Sequence, residues 1–514
     1  MSVRITITLP VGELGRLEKA VQAAAPGATE WRVARRSLDA RQRRRLQWVL
    51  SVEIRQAGQG AFAPLGRAPT FRPADRGQAP VVIVGAGPAG LFAATALAEV
   101  GIPVEIVDRG AAFPARHLHV RDLRRDGRFN PESNYRFGLG GAGTYSDGKI
   151  FTRKRGPAMR EVLARLAWLG EDDDYAVDAR PHIGTNRLVP LLERLRRGLE
   201  DAGVVFRFDT RVDGLVVRKG RVRGVRTRAG DLDAAAVILA PGNASRDTFE
   251  WLDAAGVAMA PRDFAVGVRV EHPRELIDRI QHGALAGHPE LEAAEYRLAF
   301  QVGDRGVYTF CMCPGGHVLP VPAEPDGLAI NGMSHAARGS AWSNAALVVA
   351  VGPRDWEGED VLAGMRFQRR LERAAAAAGG RRLPRPGPGP HRLPRRRFGD
   401  GAPDLQLPTG PHRRGPRRAP PSRDPGRAPG GPAPGGSSAG VHHRGGLRHR
   451  GGDHHRLPGP DPAERRPGIG VPPGAPSLRR GGRLRGGDHV LRRGRARRRT
   501  RRSARTGRVI QPPP

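Results

Sequence analysis

The chain has 514 residues, enough for about two to four domains, and a formal net charge of +35 that is unevenly spread. Residues 381–514 hold 33 arginines, no lysine and 7 acids, so they carry +26 and residues 1–380 only +9. That separates a basic tail from an ordinary globular body, and the two cysteines argue against a disulfide framework and for a reducing compartment.

Residues 1–76 are expected to form a small α/β domain. VRITITL alternates like a strand, GELGRLEKAVQAAA has helical spacing, and LQWVLSVEIR reads as a second or third strand. MSVRITITLP has no apolar signal-peptide core, so the expected location is the cytoplasm. GRAPTFRPADRGQAP is a Pro/Gly linker, and a new unit starts at Pro80.

Nothing between Arg76 and Glu99 is charged, which is long enough to pass for a membrane span, but its glycines fall in a nucleotide-binding pattern. VVIVGAGPAGLFAATALAEVGIPVEIVDRG reads as a buried strand, a fingerprint, an Ala-rich helix, a second strand and an acid. Gly85 permits the tight turn, Gly87 lets the backbone approach a pyrophosphate at the positive end of the helix, and Gly90 lets helix and strand pack closely. Asp108 is placed to accept from a ribose 2′-hydroxyl. Pro88, Ala89 and Arg109 belong to the same cofactor-binding candidate. Residues 77–250 are therefore expected to be a Rossmann-type dinucleotide-binding domain with a helical insertion.

FGLGGAGTYSDGK follows, in which Gly140, Gly141, Ala142, Gly143 and Thr144 can bring several backbone N–H groups to one point and cradle a phosphate or flavin. Lys149 lies beside that loop, within reach of a phosphate or the flavin. RLVPLLERLRRGLEDAG reads as an amphipathic helix with Asn186 as its N-cap and Gly203 as its stop. AAAVILAPG reads as a buried strand ending at Pro241-Gly242 that returns to the first sheet beside the cofactor, which makes Gly242 a further candidate. No second unit of strand, GxGxxG and helix follows. The expected dinucleotide is thus FAD, held non-covalently, with NAD(P)H as a transient electron donor. Residues 251–380 mix α and β and are expected to form a substrate domain.

Candidates for chemistry beyond the flavin are few. Cys311 and Cys313 share a strand face at i and i+2; a disulfide across one residue is strained and two cysteines make a poor metal site, so packing is expected and a redox pair is the alternative. No metal is expected. His182, His272 and His335 are general acid–base candidates for which structural roles are the simpler expectation.

GAGPAG with VDRG, then FGLGGAGTYSDGK, PHIGTNRL, VILAPGNASRDTFEWL, FAVGVRVEHP, YTFCMCPGG and NGMSHAARGSAWSNAALVV, in that order, resemble the bacterial FAD-dependent dehydrogenases, or NAD(P)/FAD-dependent oxidoreductases, with a characteristic C-terminal domain. RRSLDARQRRRL fits the same resemblance, which covers roughly residues 1–380. It implies an α/β fold of the two-dinucleotide-binding flavoprotein type, the FAD domain interleaved with an α+β substrate domain, and an oxidoreductase acting on an unidentified small molecule.

Residues 381–514 have Phe398 as their one aromatic and too few apolar groups to offset the entropy of ordering, so they are expected to be a disordered tail. Read one base out of register, Arg479–Arg492 can encode AGEAGYAGGIMSSA, which resembles the family's second glycine-rich flavin motif, so out-of-frame translation is expected there. The alternative is a nucleic-acid-binding protein that uses the Arg/Gly-rich tail, although the tail has almost no aromatics for base stacking.

Overall fold

The computed structural model describes residues 3–42, 45–75, 77–150 and 156–379; the tail expectations lie outside the described residues. At the N-terminus, β1 (Val3–Pro10), α1 (Leu17–Ala24), β2 (Ala28–Asp39) and β3 (Gln47–Gln56) form a small α/β layer. The strands pair antiparallel in the order β1-β3-β2, and Val21 of α1 packs on Ile7, Leu50 and Val52. Arg36 ties this domain to the next, its guanidinium 2.7 Å from Asp178 and 3.0 Å from Asp174.

Next come β4 (Val81–Val84), α2 (Pro88–Ala98), β5 (Val104–Val107), α3 (Ala115–Asp126), α4 (Pro157–Gly170), α5 (Asp174–Val177) and α6 (Thr185–Asp201). Five short strands follow: β6 (Val205–Arg207), β7 (Val212–Arg218), β8 (Arg221–Thr227), β9 (Gly230–Asp233) and β10 (Ala236–Leu239). The parallel sheet runs β10-β4-β5-β6. On one face Ile83 and Ile106 pack with Leu91 of α2 and with Leu191, Leu195 and Leu199 of α6. On the other, Val82, Val84 and Val107 meet Val212 and Val225 of the β7-β8-β9 meander. Nearly every side chain of β4 and β5 is buried because both faces are covered, the usual reason parallel strands read as unbroken apolar runs.

Two expectations need correction. The N-cap of α6 is Gly184, not Asn186, which instead accepts from the Ala336 N–H at 2.8 Å. The strand β10 does pair parallel with β4, but it is the edge of its sheet and half-exposed rather than buried.

The rest comprises α7 (Arg246–Ala254), β11 (Phe264–Pro273), α8 (Arg274–His282), β12 (Ala299–Val302), β13 (Arg305–Cys313), β14 (Gly316–Pro320), β15 (Ile330–Ser334), β16 (Trp342–Val351) and α9 (Ala363–Ala378). An antiparallel sheet runs β11-β16-β13-β12. The β14–β15 hairpin lays Leu319 and Met333 against Val120 and Leu123 of α3, so this domain covers part of the dinucleotide-binding domain. No described helix is long and apolar enough to cross a membrane.

Candidate functional site

The site is built where β4 runs into α2. Gly85 has φ +110°, and a β-carbon there would stand 2.3 Å from the Ala240 carbonyl oxygen; one on Gly90 would stand 1.9 Å from the Gly85 carbonyl oxygen. Both are glycine because protein packs against them. Gly87 differs: it is extended, and the nearest atom to a β-carbon would be Gly141 Cα at 3.9 Å. The protein tolerates a side chain there, so what asks for glycine is a group approaching from outside.

Gly87 is also the N-cap of α2, and no side chain caps that helix end. Its first N–H groups and the positive end of its dipole face outward, the arrangement that receives a pyrophosphate. Pro88 and Ala89, at the start of α2, are exposed, as are Ala142 and Gly143 in the facing loop. That second loop crosses directly over the first: the Gly140 N–H donates to the Ala86 carbonyl at 2.8 Å, and Gly141–Gly143 form a 3-10 turn against Gly87 and Pro88. The two glycine segments, which touch through residues 54 apart in sequence (Ala86 with Gly140, Gly87 with Gly141), thus form one open cradle.

Asp108 joins them. Its carboxylate accepts from the backbone N–H of Ala86 at 2.7 Å, Gly110 at 2.8 Å and Gly138 at 2.9 Å, so both oxygens are occupied by the loops themselves. It also lines a cavity of about 30 Å³ together with Gly85, Arg109, Phe137 and Ser245. The Arg109 guanidinium lies 4.6 Å from the Phe137 ring centre and pairs with Glu132 at 2.6 Å and Asp247 at 2.8 Å. Gly242, just past β10, is exposed, and a β-carbon built on it would meet nothing within 4 Å.

Arg116 is the residue that sequence reasoning missed. It is fully buried and donates to the carbonyls of Asn134 (3.1 Å), Tyr135 (3.1 Å), Gly141 (2.8 Å) and Leu139, and to the Thr144 hydroxyl (3.0 Å). Burial pushes its pKa down to about 10, so it remains charged at neutral pH. One signal was available: Arg116, Val120 and Leu123 share one face of α3, and a charge at a core position needs a purpose.

Beyond the loop, Asp147 is buried and accepts from Lys149 Nζ at 2.5 Å, Arg338 at 3.1 Å and the Ser334 hydroxyl. Lys149 also donates to the Met312 carbonyl and lies 3.6 Å from Glu295. Its ammonium therefore bolts the end of the glycine loop to β13. His182 donates from Nε2 to the Ala336 carbonyl at 3.2 Å; burial, then the nearby Arg338 charge, lowers its pKa and keeps it neutral. His272 Nε2 meets the Tyr296 hydroxyl at 2.8 Å, and His335 is exposed. The structure does not gather the three histidines at the cradle. Among the described residues no group of three or more His, Cys, Asp or Glu is arranged to hold a metal ion.

Residues 78–116 match the family model for an FAD binding domain, and residues 263–388 match that of the FAD-dependent protein C-terminal domain. An uncharacterized protein of Clostridium beijerinckii is 40% identical over 301 residues, 58% of this chain and 56% of that protein. Protein FixC of Escherichia coli K12 is 31% identical over 207 residues, 39% of this chain and 45% of FixC. The chain thus spans about half the length of these relatives. Among solved structures, that of CtdE in complex with FAD aligns at 15% identity over 55% of this chain and 61% of CtdE, with a TM-score of 0.25, too low to carry an argument. The match to the FAD binding domain thus falls on the observed cradle, and the match to the FAD-dependent protein C-terminal domain lies beyond it, so in both segments the chain is similar to FAD-dependent proteins.

Proposed function

We propose that the protein is a dehydrogenase that passes hydride between an unidentified small molecule and a non-covalently held FAD, with NAD(P)H as a transient electron donor. The observation that carries this reading is the open face at Gly87, where two glycine loops meet at an uncapped helix end. Bound FAD supplies the hydride chemistry. The chain's residues supply its placement. The α2 N-terminus would receive the diphosphate, Gly87 would allow its close approach, and Asp108 and Arg116 hold the loops in the receiving shape. The two free thiols support a reducing compartment, the cytoplasm.

Titration of the frame-restored protein with FAD, followed by flavin fluorescence, is expected to show saturable binding that Gly87→Val abolishes while the variant keeps its circular dichroism; the chain as it stands is expected to retain FAD poorly. Bound flavin is expected to bleach anaerobically with NADH or NADPH. A frame-restored protein that binds no flavin ends this reading.

A further inference from the structure

Cys311 and Cys313 were expected on one face of a regular strand. The structure breaks that regularity. Phe310 pairs with Ala346 and Cys313 with Asn344, so Cys311 and Met312 together stand opposite Ala345 in a bulge. Cys311 takes φ +43°, a left-handed conformation that a side chain normally avoids. The bulge turns the Cys313 thiol back on its neighbour, where Sγ donates to the Cys311 carbonyl at 3.4 Å. Cys311 is partly exposed and Cys313 buried.

The surroundings are cationic. Arg269 donates to the Cys311 carbonyl at 3.1 Å, Asn344 Oδ1 at 2.7 Å and Asn331 Oδ1 at 3.0 Å, and lies 3.9 Å from Cys313 Sγ. These partners are all neutral, so its charge falls on the sulfurs. Lys149, itself paired with Asp147 at 2.5 Å and 3.6 Å from Glu295, donates to the Met312 carbonyl between the two cysteines. Asn344 is fully buried, and its amide nitrogen has no hydrogen-bond partner. Gly332 makes room: a β-carbon there would stand 2.5 Å from Cys313 Sγ and 2.6 Å from both Arg269 Nη1 and Asn344 Oδ1. A dithiol, a guanidinium and a free amide donor therefore converge on one point.

We propose that Cys311 and Cys313 form a thiol–disulfide exchange site for a small carboxylate-bearing disulfide, with Cys311 attacking and Cys313 resolving. The Cys311 thiolate attacks one sulfur of RS–SR; a new S–S bond forms and RS⁻ departs. Cys313 then gives up its proton to the departing thiolate and attacks Cys311 Sγ, forming the Cys311–Cys313 disulfide and releasing the second RS group. One external disulfide is reduced to two thiols, and the two cysteines lose two electrons. The order of attack follows from the site. The Cys313 hydrogen bond and the two cations hold the Cys311 thiol below its ordinary range against the opposing effect of burial, while Cys313 is held high.

The full chain is treated with oxidised glutathione and digested with trypsin; both cysteines fall in the peptide 306–338. That peptide is expected to lose two hydrogen atoms. Cys313→Ser is expected to retain one glutathione on Cys311, and Cys311→Ser none. In the untreated wild type, iodoacetamide is expected to label Cys311 with a midpoint at least tenfold in proton concentration below that of an ordinary thiol, whose pKa is about 8.5. The wild-type measurements stand even if a variant misfolds. A Cys311 that titrates as an ordinary thiol, or a wild-type glutathione adduct that never resolves, overturns the proposal.

Discussion

At the residue scale the cradle depends on two buried charges that serve the backbone. Asp108 satisfies three N–H groups drawn from both loops, and Arg116 satisfies the carbonyls on the far side of the second loop. Arg116→Met is expected to leave these acceptors unpaired in the interior. Each buried unpaired group costs about 1–3 kcal/mol, so a urea titration should show a loss on the order of 3 kcal/mol or more. Arg116→Lys is not expected to restore it, because one ammonium cannot match the planar fork. Equal stability of wild type and Arg116→Met would show that the loop holds its shape unaided. The acid at the end of β5 was legible from its place in the fingerprint, but its work was not. Sequence suggests an acceptor for a ribose; the fold adds that both oxygens also accept from the protein's own amides.

At the scale of elements, the glycine loop is locked to the C-terminal domain through Asp147. Burial raises the pKa of that carboxyl, but Arg338 and Lys149 lower it further, so it sits below the ordinary range. A carboxylate with a lowered folded pKa stabilises the fold above its unfolded value of about 3.9, and that contribution is lost as pH falls through the folded value. His182, also lowered, adds a separate loss that sets in as pH falls below about 6.5. The difference in urea midpoint between wild type and Asp147→Asn isolates the first effect. It is expected to stay constant between about pH 5 and 7 and to shrink below about pH 4. A difference that does not vary with pH would mean that Asp147 acts through packing alone. The segment order from β4 to β5 was readable because two covered faces favour apolar side chains, with Glu105, paired to Arg207, as the one interruption. The start of α6 was not, because Asn186 is drawn away to Ala336 by a segment 150 residues distant.

At the scale of the whole molecule, the sheet containing β11 and β13 keeps apolar groups exposed on both faces, with Val268 at 61% and Phe310 at 63% of full exposure. An exposed apolar sheet calls for a covering layer. We propose that the gene is read out of frame from about Arg381, and that the covering layer is encoded in the shifted frame. The matched C-terminal domain ends at residue 388, just past that point, and the arginine excess begins there. Sequencing across the codons for residues 379–382 is expected to show one base gained or lost. The frame-restored protein should stay monodisperse in light scattering at concentrations where this chain aggregates. An uninterrupted frame there would refute this and return the basic tail to the protein.

Local patterns alone determined the dinucleotide fingerprint, the parallel strands, the cofactor class and the break in composition at Arg381, because each rests on neighbours in sequence: turn, helix end, periodicity and charge run. Tertiary structure decided the rest. The meeting of Gly87 with Gly141, the burial of Arg116, the occupation of Asp108 and the bulge at Cys311 all depend on groups brought together from distant segments. Buried polar atoms must be paired wherever the fold places them, and that pairing cannot be read from a neighbour list along the chain.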